Sequence, residues 1–454
     1  GIIVARIAIG KSQGDYGLIK AHGLVSSSIW RPLNARLRVC GADVATAGRR
    51  VKTEAAGKRE HLPWNVRTAA NLRQPNVDAR QVIWQKLPMT FWFARFILCL
   101  GLLVGCGHAP DLIGVDNPTA PVRNETQAST QKVFIMTTRE ASDVSAVFYG
   151  PERAPELGFA SVVVSVPPIH VPGELERPRR LPPDPATEFA VIEPTVYADD
   201  TAFVGHINRA LAERAPEDRI VLFYVHGYNT SISDAVLRLG QFVEDTEFNG
   251  VPVLFSWASA SQVTRYVYDL NSALIARPKF LEATRVLRRT NANSFDVFAH
   301  SMGTFLTMEA ITQGVQSGQF GQATRPNTLM LASPDIDLDL FRSQISYLPA
   351  ARSSIFVMVS EDDAALRVSQ RLSGGVTRLG NTPAKDLTDL GVTVIDLSEV
   401  DDSQAGSHSK YAGSPEIVQL IGEGLSQNKY QTGSRGPSFV EVLEGVPILR
   451  VLTP

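Results

Sequence analysis

Ser301 has the surroundings of a catalytic nucleophile. It stands in the middle of AHSMG (299–303), after an apolar segment and before a helix-like one. A serine on a tight turn between strand and helix presents its hydroxyl for attack, and the turn needs small residues two positions to either side. Ala299 and Gly303 meet that need, with alanine in place of the usual first glycine. His300 takes the variable position, where we expect it to pack.

His408 is the candidate base for this serine. A serine hydroxyl becomes nucleophilic when an imidazole removes its proton, and on a strand-turn-helix serine the expected chain order is Ser, then Asp or Glu, then His. His408 is the only histidine after Ser301 and lies in the loop SQAGSHSKYAGSP (403–415). The alternative is an ordinary solvated loop histidine.

Asp363 is the candidate acid, because it follows a predicted strand directly in SEDDAAL (360–366). A second acidic group, Asp335, Asp337 and Asp339, follows the preceding strand, and Asp335 is the reserve acid. A calcium loop would need Gly and Glu at its sixth and twelfth positions, and this segment has neither. We therefore interpret these aspartates as residues at a helix start and expect no metal site.

Two backbone N–H groups are the candidate donors to the negative charge that develops on the substrate oxygen. One belongs to Met302, directly after the nucleophile, and the other to Tyr228 in the HGYN loop (226–229). Gly227 lets the backbone approach the substrate closely. His226 is interpreted as a residue that organises this loop and not as a base.

The elements that position these residues alternate regularly along the chain. Apolar segments typical of strands lie at 133–139, 159–166, 219–225, 251–257, 294–299, 327–333, 354–360 and 392–398. Helical periodicity appears at 232–243, with Ser231 as N-cap, at 279–289, 304–315 and 365–372, and after Ser414-Pro415. This alternation predicts an α/β fold with a mostly parallel, doubly wound sheet, and the two early strands predict an antiparallel edge hairpin.

Composition is that of an ordinary globular protein. The chain has 454 residues, 44% hydrophobic content and a formal net charge of −2, which gives no indication of nucleic-acid binding. Its three cysteines, Cys40, Cys99 and Cys106, leave nothing beyond residue 106 to form a disulfide, a thiolate metal site or a cysteine nucleophile. We expect no cofactor.

The beginning of the chain has the pattern of an exported lipoprotein. Residues 89–105 start at the first methionine and contain a short apolar run, too short to span a membrane. They end in Leu-Val-Gly before Cys106, which resembles the lipobox whose cysteine becomes lipidated. We expect a lipid-anchored protein of the bacterial envelope, with 106–130 as a flexible tether, 131–425 as the folded domain and 426–454 as a tail.

Residues 1–88 contain no methionine and carry fifteen Lys and Arg against five Asp and Glu. We interpret them as upstream sequence translated from a start site placed too early. The alternative is a basic disordered arm followed by a buried apolar helix.

Six segments together resemble a bacterial family of α/β-hydrolases in the esterase/lipase superfamily with mostly unassigned substrates. They are VLFYVHGYNTSISDAVLRLGQF, VLFSWAS, FAHSMGTFLTMEA, ASPDIDLDLF, SEDDAALRVSQRLSG and GSHSKYAGSP. The resemblance extends from about Val133 to Leu425 and implies Ser301, His408 and Asp363 as the triad of a serine esterase.

The expected substrate is a small or surface-presented ester, because the spacing of the strands leaves no room for a large lid domain between 333 and 354. Tyr266, Tyr268 and Leu270 are candidates to line an acyl pocket or, as an alternative, to pack a helix. A second interpretation of the chain is an amide or thioester hydrolase, and a third is an inactive envelope-tethered binding module of the same fold.

The lipobox-like pattern before Cys106 predicts a specific mature N-terminus. Intact-mass measurement of the native protein should give a chain that begins at Cys106 and carries lipid. A mature protein that retains residues 1–88 would contradict this interpretation.

Overall fold

The computed structural model describes residues 109–321, 326–348, 352–401, 406–426 and 450–453. Within them the strands are β1 (Ser129–Ala141), β2 (Tyr149–Val166), β3 (Ala190–Val196), β4 (Ile220–Val225), β5 (Val251–Ser256), β6 (Ser294–His300), β7 (Leu329–Ala332), β8 (Ile355–Val359), β9 (Thr393–Asp396) and β10 (Arg450–Leu452). The helices are α1 (Asp200–Ala212), α2 (Ile232–Asp245), α3 (Tyr266–Leu287), α4 (Met302–Gln316), α5 (Leu338–Ser346), α6 (Ala364–Leu372), α7 (Lys410–Gly413) and α8 (Pro415–Ser426).

All ten strands join one sheet in the order β10-β9-β8-β7-β6-β4-β5-β1-β2-β3. Strands β1 and β4 to β9 run parallel, and β2 pairs with β1 in antiparallel register. The predicted mostly parallel sheet and its early hairpin are therefore confirmed. The hairpin is not the edge itself, because β3 pairs with the far side of β2, and β10 closes the other edge beside β9.

The sheet is covered on both faces, as continuously apolar parallel strands require. Along β4, Val221, Phe223 and Val225 belong to one buried cluster, together with apolar residues of α1, α3, α4 and α5. The alternate residues Ile220, Leu222 and Tyr224 belong to a second cluster with α2 and α8. A layer of helices on each face leaves the ends of the parallel strands as the edge where loops meet.

Residues that the sequence indicates as helix starts cap two of the helices, α2 and α5. Ser231 caps α2 and forms a capping box with Asp234, as the sequence predicts. Asp337 caps α5 by accepting hydrogen bonds from two backbone N–H groups of its first turn, so this aspartate is a helix-start residue. Helix α5 is the only α-helix in the described residues between β7 and β8, and these residues contain no inserted lid domain.

Helix α3 is longer than the sequence predicts. The predicted start at Lys279 follows Pro278, which often marks a helix boundary, but the helix begins at Tyr266 and contains the proline. Residues Ala273 and Ala276 on the earlier turns are buried against the sheet, and this burial outweighs the hydrogen bond that the proline removes.

The segment predicted as a flexible tether is packed on the domain where it is described. Leu112 and Ile113 are buried, Ile113 forms a bridge with Val191, and the N–H of Leu112 donates to Ser233 Oγ at 3.2 Å. These two apolar residues anchor the described part of this segment to the domain. The prediction of a flexible tether is therefore wrong for this part of the segment. The predicted signal, Cys106 and residues 1–88 lie outside the described residues, as does most of the tail. In the described part of the chain, none of the helices has the length and apolar character needed to cross a bilayer.

A buried histidine, His170, holds the proline-rich segment between β2 and β3. Its ring nitrogens lie 2.7 Å from Glu176 Oε2 and 2.6 Å from Asp245 Oδ1 at the end of α2, and Gly173 N–H donates to the same aspartate. Burial alone would disfavour the charged ring, but the hydrogen bonds to Asp245 and Glu176 outweigh it and raise the pKa of His170 from 6.5 to about 9.

The raised pKa makes a pH-dependent contribution to stability. The stabilisation by His170 is complete below pH 6.5, the unfolded value, and disappears as the pH rises through about 9. Replacing His170 with glutamine should therefore lower the free energy of unfolding by about 1 to 3 kcal/mol at pH 6, because solvent screens part of the interaction, and by far less at pH 10. Urea denaturation of both proteins across this range measures the difference.

The matched control is His206→Gln, because the His206 ring packs on Tyr197 and its pKa is lowered, chiefly by burial. This variant should show no stability difference that decays between pH 6.5 and 9. A His170→Gln effect that is equal at pH 6 and pH 10 would contradict the assignment.

Candidate active site

Ser301 occupies a strained turn between β6 and α4. Its φ of 54° and ψ of −125° lie in a region that residues with a side chain rarely adopt. The backbone holds it there from both sides, because its N–H donates to Ala332 O at 3.0 Å while its carbonyl accepts from Thr304 N–H at 3.0 Å. Such strain is typical of functional positions, and it places the serine at the carboxyl edge of the sheet.

The small residues around the turn allow a close approach of two loops. A Cβ on Gly227 would lie 2.8 Å from Ser301 Cβ, and one on Gly303 would lie 2.7 Å from Val225 O and closer still to His226 O. Ala299 is fully buried in β6. The loop after β4 and the turn after β6 therefore touch at a point with no room for a side chain.

Asp363 and His408 are brought together as the sequence predicts. His408 Nδ1 lies 2.7 Å from Asp363 Oδ2, and the carboxylate is completely buried. Asp363 directly precedes α6, and its other oxygen accepts from Leu366 N–H at 2.9 Å. Because the carboxylate accepts a hydrogen bond from Nδ1–H, the imidazole keeps its proton on Nδ1, and Nε2 is able to act as a base.

The His408 loop lies against the residue before Ser301. The carbonyl of His408 accepts hydrogen bonds from Ser333 Oγ at 3.0 Å and from His300 Nε2 at 3.3 Å. The rings of His300 and His408 are 4.8 Å apart. His300, for which packing was expected, also orients the loop, and burial together with the neighbouring His408 holds the pKa of His300 well below 6.5. Its ring is therefore neutral.

Tyr228 and Met302 have backbone N–H groups that donate to no other group in the described part of the chain. The backbone N–H groups of the next two residues already have acceptors. Asn229 donates to Asp269 Oδ2 at 3.1 Å, and Thr230, just after the HGYN loop, donates to Ser259 Oγ at 3.0 Å. Val225 stands opposite Ala299 in the register of β4 and β6. Tyr228 and Met302 each come three residues after this pair, so their two N–H groups lie at matching positions beyond the two strands. This arrangement suits a pair of donors to one developing negative charge.

Asp269, which the sequence patterns did not indicate, organises the HGYN loop. It is fully buried on the first turn of α3. Besides Asn229 N–H, it accepts from Ser259 Oγ at 2.6 Å and from Ala260 N–H at 2.7 Å. The sequence could have indicated the role of Asp269 only through a helical pattern that places this aspartate on the buried face. The helix predicted from the sequence begins after residue 269, so this pattern was not recognised.

His226 is a buried member of the same loop. Its ring stacks on Trp257 with centroids 5.1 Å apart and planes within 9°, and its nitrogens lie 2.9 Å from Gly227 O and 3.2 Å from Trp257 O. Burial, with the charge of Arg139 as a second cause, lowers the pKa of His226 to about 3. This placement fits a neutral residue that organises the loop.

The reserve acid Asp335 lies in a separate network. It pairs with Arg378, whose Nε is 3.2 Å from Oδ1, and accepts from Ser369 Oγ and from the Tyr266 hydroxyl at 3.1 Å. Asp335 therefore connects the start of α3 to α6. Of the two candidate acids, Asp363 is the one that contacts His408.

The three candidates for an acyl pocket do not form one. Tyr266 lies beside the HGYN loop, with its ring 5.3 Å from that of Tyr228. Tyr268 instead stands between the guanidinium groups of Arg153 and Arg265 and donates to a backbone carbonyl of β2. Leu270 packs against the core. Residues two apart point to the same side of a strand but in different directions on a helix. The three side chains are therefore separated because their segment is helical.

A cavity of about 690 Å³ adjoins the HGYN loop at Asn229 and is also lined by the buried Arg139, but neither Ser301 nor His408 is among its described lining residues. A smaller cavity of about 240 Å³ lies behind the turn, against His226, Gly227 and His300. Among the described residues, no group of three or more His, Cys, Asp or Glu side chains is placed to hold a metal ion.

Residues 200–424 match the family model described as alpha/beta hydrolase of unknown function (DUF900). This part of the chain belongs to that family. The α/β-hydrolase fold agrees with the strand order and with the turn at Ser301. Among curated proteins, none matches the chain by sequence.

Solved structures similar to this α/β-hydrolase include esterases at low identity. Two are of an esterase from the archaeon Pyrobaculum calidifontis, one a monoclinic form and one described as hyperthermophilic, each with 12% identity, a TM-score of 0.32, and coverage of 68% of this chain and 89% of the other. The third is a mutant of the esterase rPPE, with 12% identity, a TM-score of 0.29, and coverage of 67% and 81%.

The contact between Gly227 and Ser301 predicts a strong effect of one added methyl group. If Ser301 reacts with esters, Gly227→Ala should lower the rate of p-nitrophenyl acetate hydrolysis by about 100-fold, because the new Cβ must push the HGYN loop away from Ser301. Steady-state kinetics measure this, and circular dichroism checks the fold.

Gly205→Ala is the matched control, since a Cβ at Gly205 on α1 meets nothing within 4 Å. It should leave the rate unchanged. Equal rates for Gly227→Ala and wild type would show that the close approach is unimportant for the reaction.

Proposed function

We propose that this protein is a serine hydrolase of carboxylic esters, in which Ser301 is the nucleophile, His408 the general base and Asp363 the acid that orients it. The observation that carries the proposal is the 2.7 Å contact of His408 Nδ1 with the buried Asp363 carboxylate, on a loop that touches the residue before the strained serine. Family membership supports hydrolase chemistry at this edge of the sheet.

Acylation begins with the transfer of the Ser301 hydroxyl proton to His408 Nε2. The serine oxygen forms a bond to the ester carbonyl carbon, and the carbonyl oxygen becomes negatively charged. Tyr228 and Met302 N–H donate to this oxygen, and losing one such donor typically costs ~3 kcal/mol of transition-state stabilisation. The bond to the alkoxy group then breaks, His408 returns its proton to the leaving alcohol, and the acyl group remains on Ser301.

Deacylation repeats these steps with water as the nucleophile. His408 removes a proton from water, the resulting hydroxide attacks the acyl carbon, and the serine oxygen leaves with the proton that His408 returns. The Asp363 carboxylate stabilises the imidazolium that forms in each half-reaction. The products are the free carboxylic acid and the regenerated Ser301 hydroxyl.

The proposed substrate is a small ester or one presented at a surface. Within the described residues the connections around the site consist of helices and loops, with no lid domain inserted between β7 and β8, which supports an open site. We further propose, on the sequence pattern before Cys106, that a lipid anchor tethers the enzyme to the bacterial envelope, where membrane-associated esters are within reach.

The proposal predicts that Ser301 alone reacts with an active-site probe. A fluorophosphonate should label the wild-type protein and fail to label Ser301→Ala, whose ester hydrolysis should fall by about 10⁴-fold or more. In-gel fluorescence and p-nitrophenyl ester assays measure the two effects.

Ser317→Ala is the control, because Ser317 is an exposed serine at the other end of the same helix. It should be labelled like the wild type. Undiminished labelling of Ser301→Ala would refute the nucleophile assignment. Complete inertness of the wild type toward the probe and toward ester, thioester and amide substrates would favour a binding module.

A further inference from the structure

Lys410 is a charged side chain enclosed by the domain, two residues after the proposed base. Its side chain is only 2% exposed. Its Nζ lies 2.9 and 3.1 Å from the two oxygens of Asp362 and donates to Leu397 O at 2.9 Å and to Ser398 O at 3.2 Å. A buried ammonium group is tolerated when its donors are fully used, so these four contacts fix the position of Lys410.

Asp362, the partner of Lys410, directly precedes the proposed acid Asp363. Its carboxylate also accepts hydrogen bonds from Ser407 Oγ at 2.7 Å and from Ser360 Oγ. Because Ser407 and Lys410 stand on either side of His408, the aspartate next to the acid holds both flanks of the base. The hydrogen bonds with Ser360, Ser407 and Lys410 outweigh partial burial, and they lower the pKa of Asp362 below 3.8, so it is ionised at neutral pH.

The His408 loop and the Asp363 loop are therefore joined by two charged contacts side by side. One is the His408–Asp363 contact itself, and the other is the Lys410–Asp362 ion pair. A backbone hydrogen bond from Ala364 N–H to Gly406 O, at 3.0 Å, adds a tie on the other side. Without Lys410, the chain after His408 loses its four anchoring contacts to the ends of β8 and β9.

We infer that Asp362 and Lys410 are positioning residues that hold the imidazole of His408 against the Asp363 carboxylate. This inference rests on the proposed function, since it assigns the pair a role in keeping the base in place for Ser301. The physical reason is that the reach of His408 Nε2 depends on where two surface loops sit, and a loop shift of about 1 Å costs roughly 100-fold in rate.

The pair is tested by Lys410→Met, which keeps a flexible chain of similar length and removes the charge. We expect kcat for p-nitrophenyl acetate to fall by about 10- to 100-fold while KM stays within about twofold, because the acyl-binding surface is unchanged. Asp362→Asn is the second variant; it keeps the side-chain shape at a half-exposed position, so it stays informative if Lys410→Met does not fold.

A spectroscopic measurement separates positioning from general stability. In protein labelled with ¹⁵N-histidine, the hydrogen-bonded Nδ1 proton of His408 should give a downfield NMR signal, assigned by its loss in His408→Gln. This signal should weaken or vanish in Lys410→Met. It does not depend on hydrolysis, so an inactive wild type would overturn the proposed function while the signal still tests the inference.

Arg277→Met is the matched control, because Arg277 forms an ion pair with Glu309 at 2.7 Å between α3 and α4. It should leave kcat and the His408 signal unchanged. The inference is wrong if Lys410→Met and Asp362→Asn keep both the wild-type kcat and the signal, or if Arg277→Met lowers them equally.

Discussion

The parallel register of β4 and β6 is the constraint on which the site depends. Val225 stands opposite Ala299, so the residues that follow each strand emerge in step. Gly227 meets Ser301 with no space for a Cβ, and one position later Tyr228 and Met302 carry the two N–H groups proposed as donors. A slip of one residue would turn every side chain of a strand to the other face of the sheet. The proposed nucleophile and the proposed donors thus share one backbone framework, and the two adjoining helical layers hold it in place.

The proposed base is positioned by different means. Backbone geometry places Ser301, Tyr228 and Met302, whereas His408 reaches the site on a loop after the last parallel strand. Side chains fix that loop: the Asp363 carboxylate at Nδ1, His300 and Ser333 at the carbonyl. Because these hydrogen bonds hold it, a loop of polar residues is ordered without an apolar core of its own.

This difference explains which parts could be predicted from the sequence. The strand periodicity, the small residues around Ser301 and the Ser-Asp-His order are local or ordinal patterns, and the structure brings Asp363 and His408 into contact. The hydrogen bond of Asp269 to the HGYN loop and the packing of Leu112 and Ile113 depend on partners more than 30 positions away, which no local period encodes. For Tyr268 and Leu270 the structure agrees with the alternative interpretation, packing around a helix, and on helix α3 the direction of Tyr268 differs from that of Tyr266.

Four buried charged side chains lie around the site. Arg139 stands near the end of β1, Asp269, Asp363 and Lys410 lie in connections that follow parallel strands, and all four are nearly or completely inaccessible. Burying an unpaired charge costs several kcal/mol, so each must be hydrogen-bonded or ion-paired. Arg139, for example, donates to Ser256 Oγ and to the carbonyls of Thr230, Gly150 and Ser259. An apolar replacement would fill such space with less electrostatic cost, but it would not fix the directions of backbone carbonyls and N–H groups. The charged groups at this edge therefore favour geometry over stability, which is what the proposed acyl-transfer site requires.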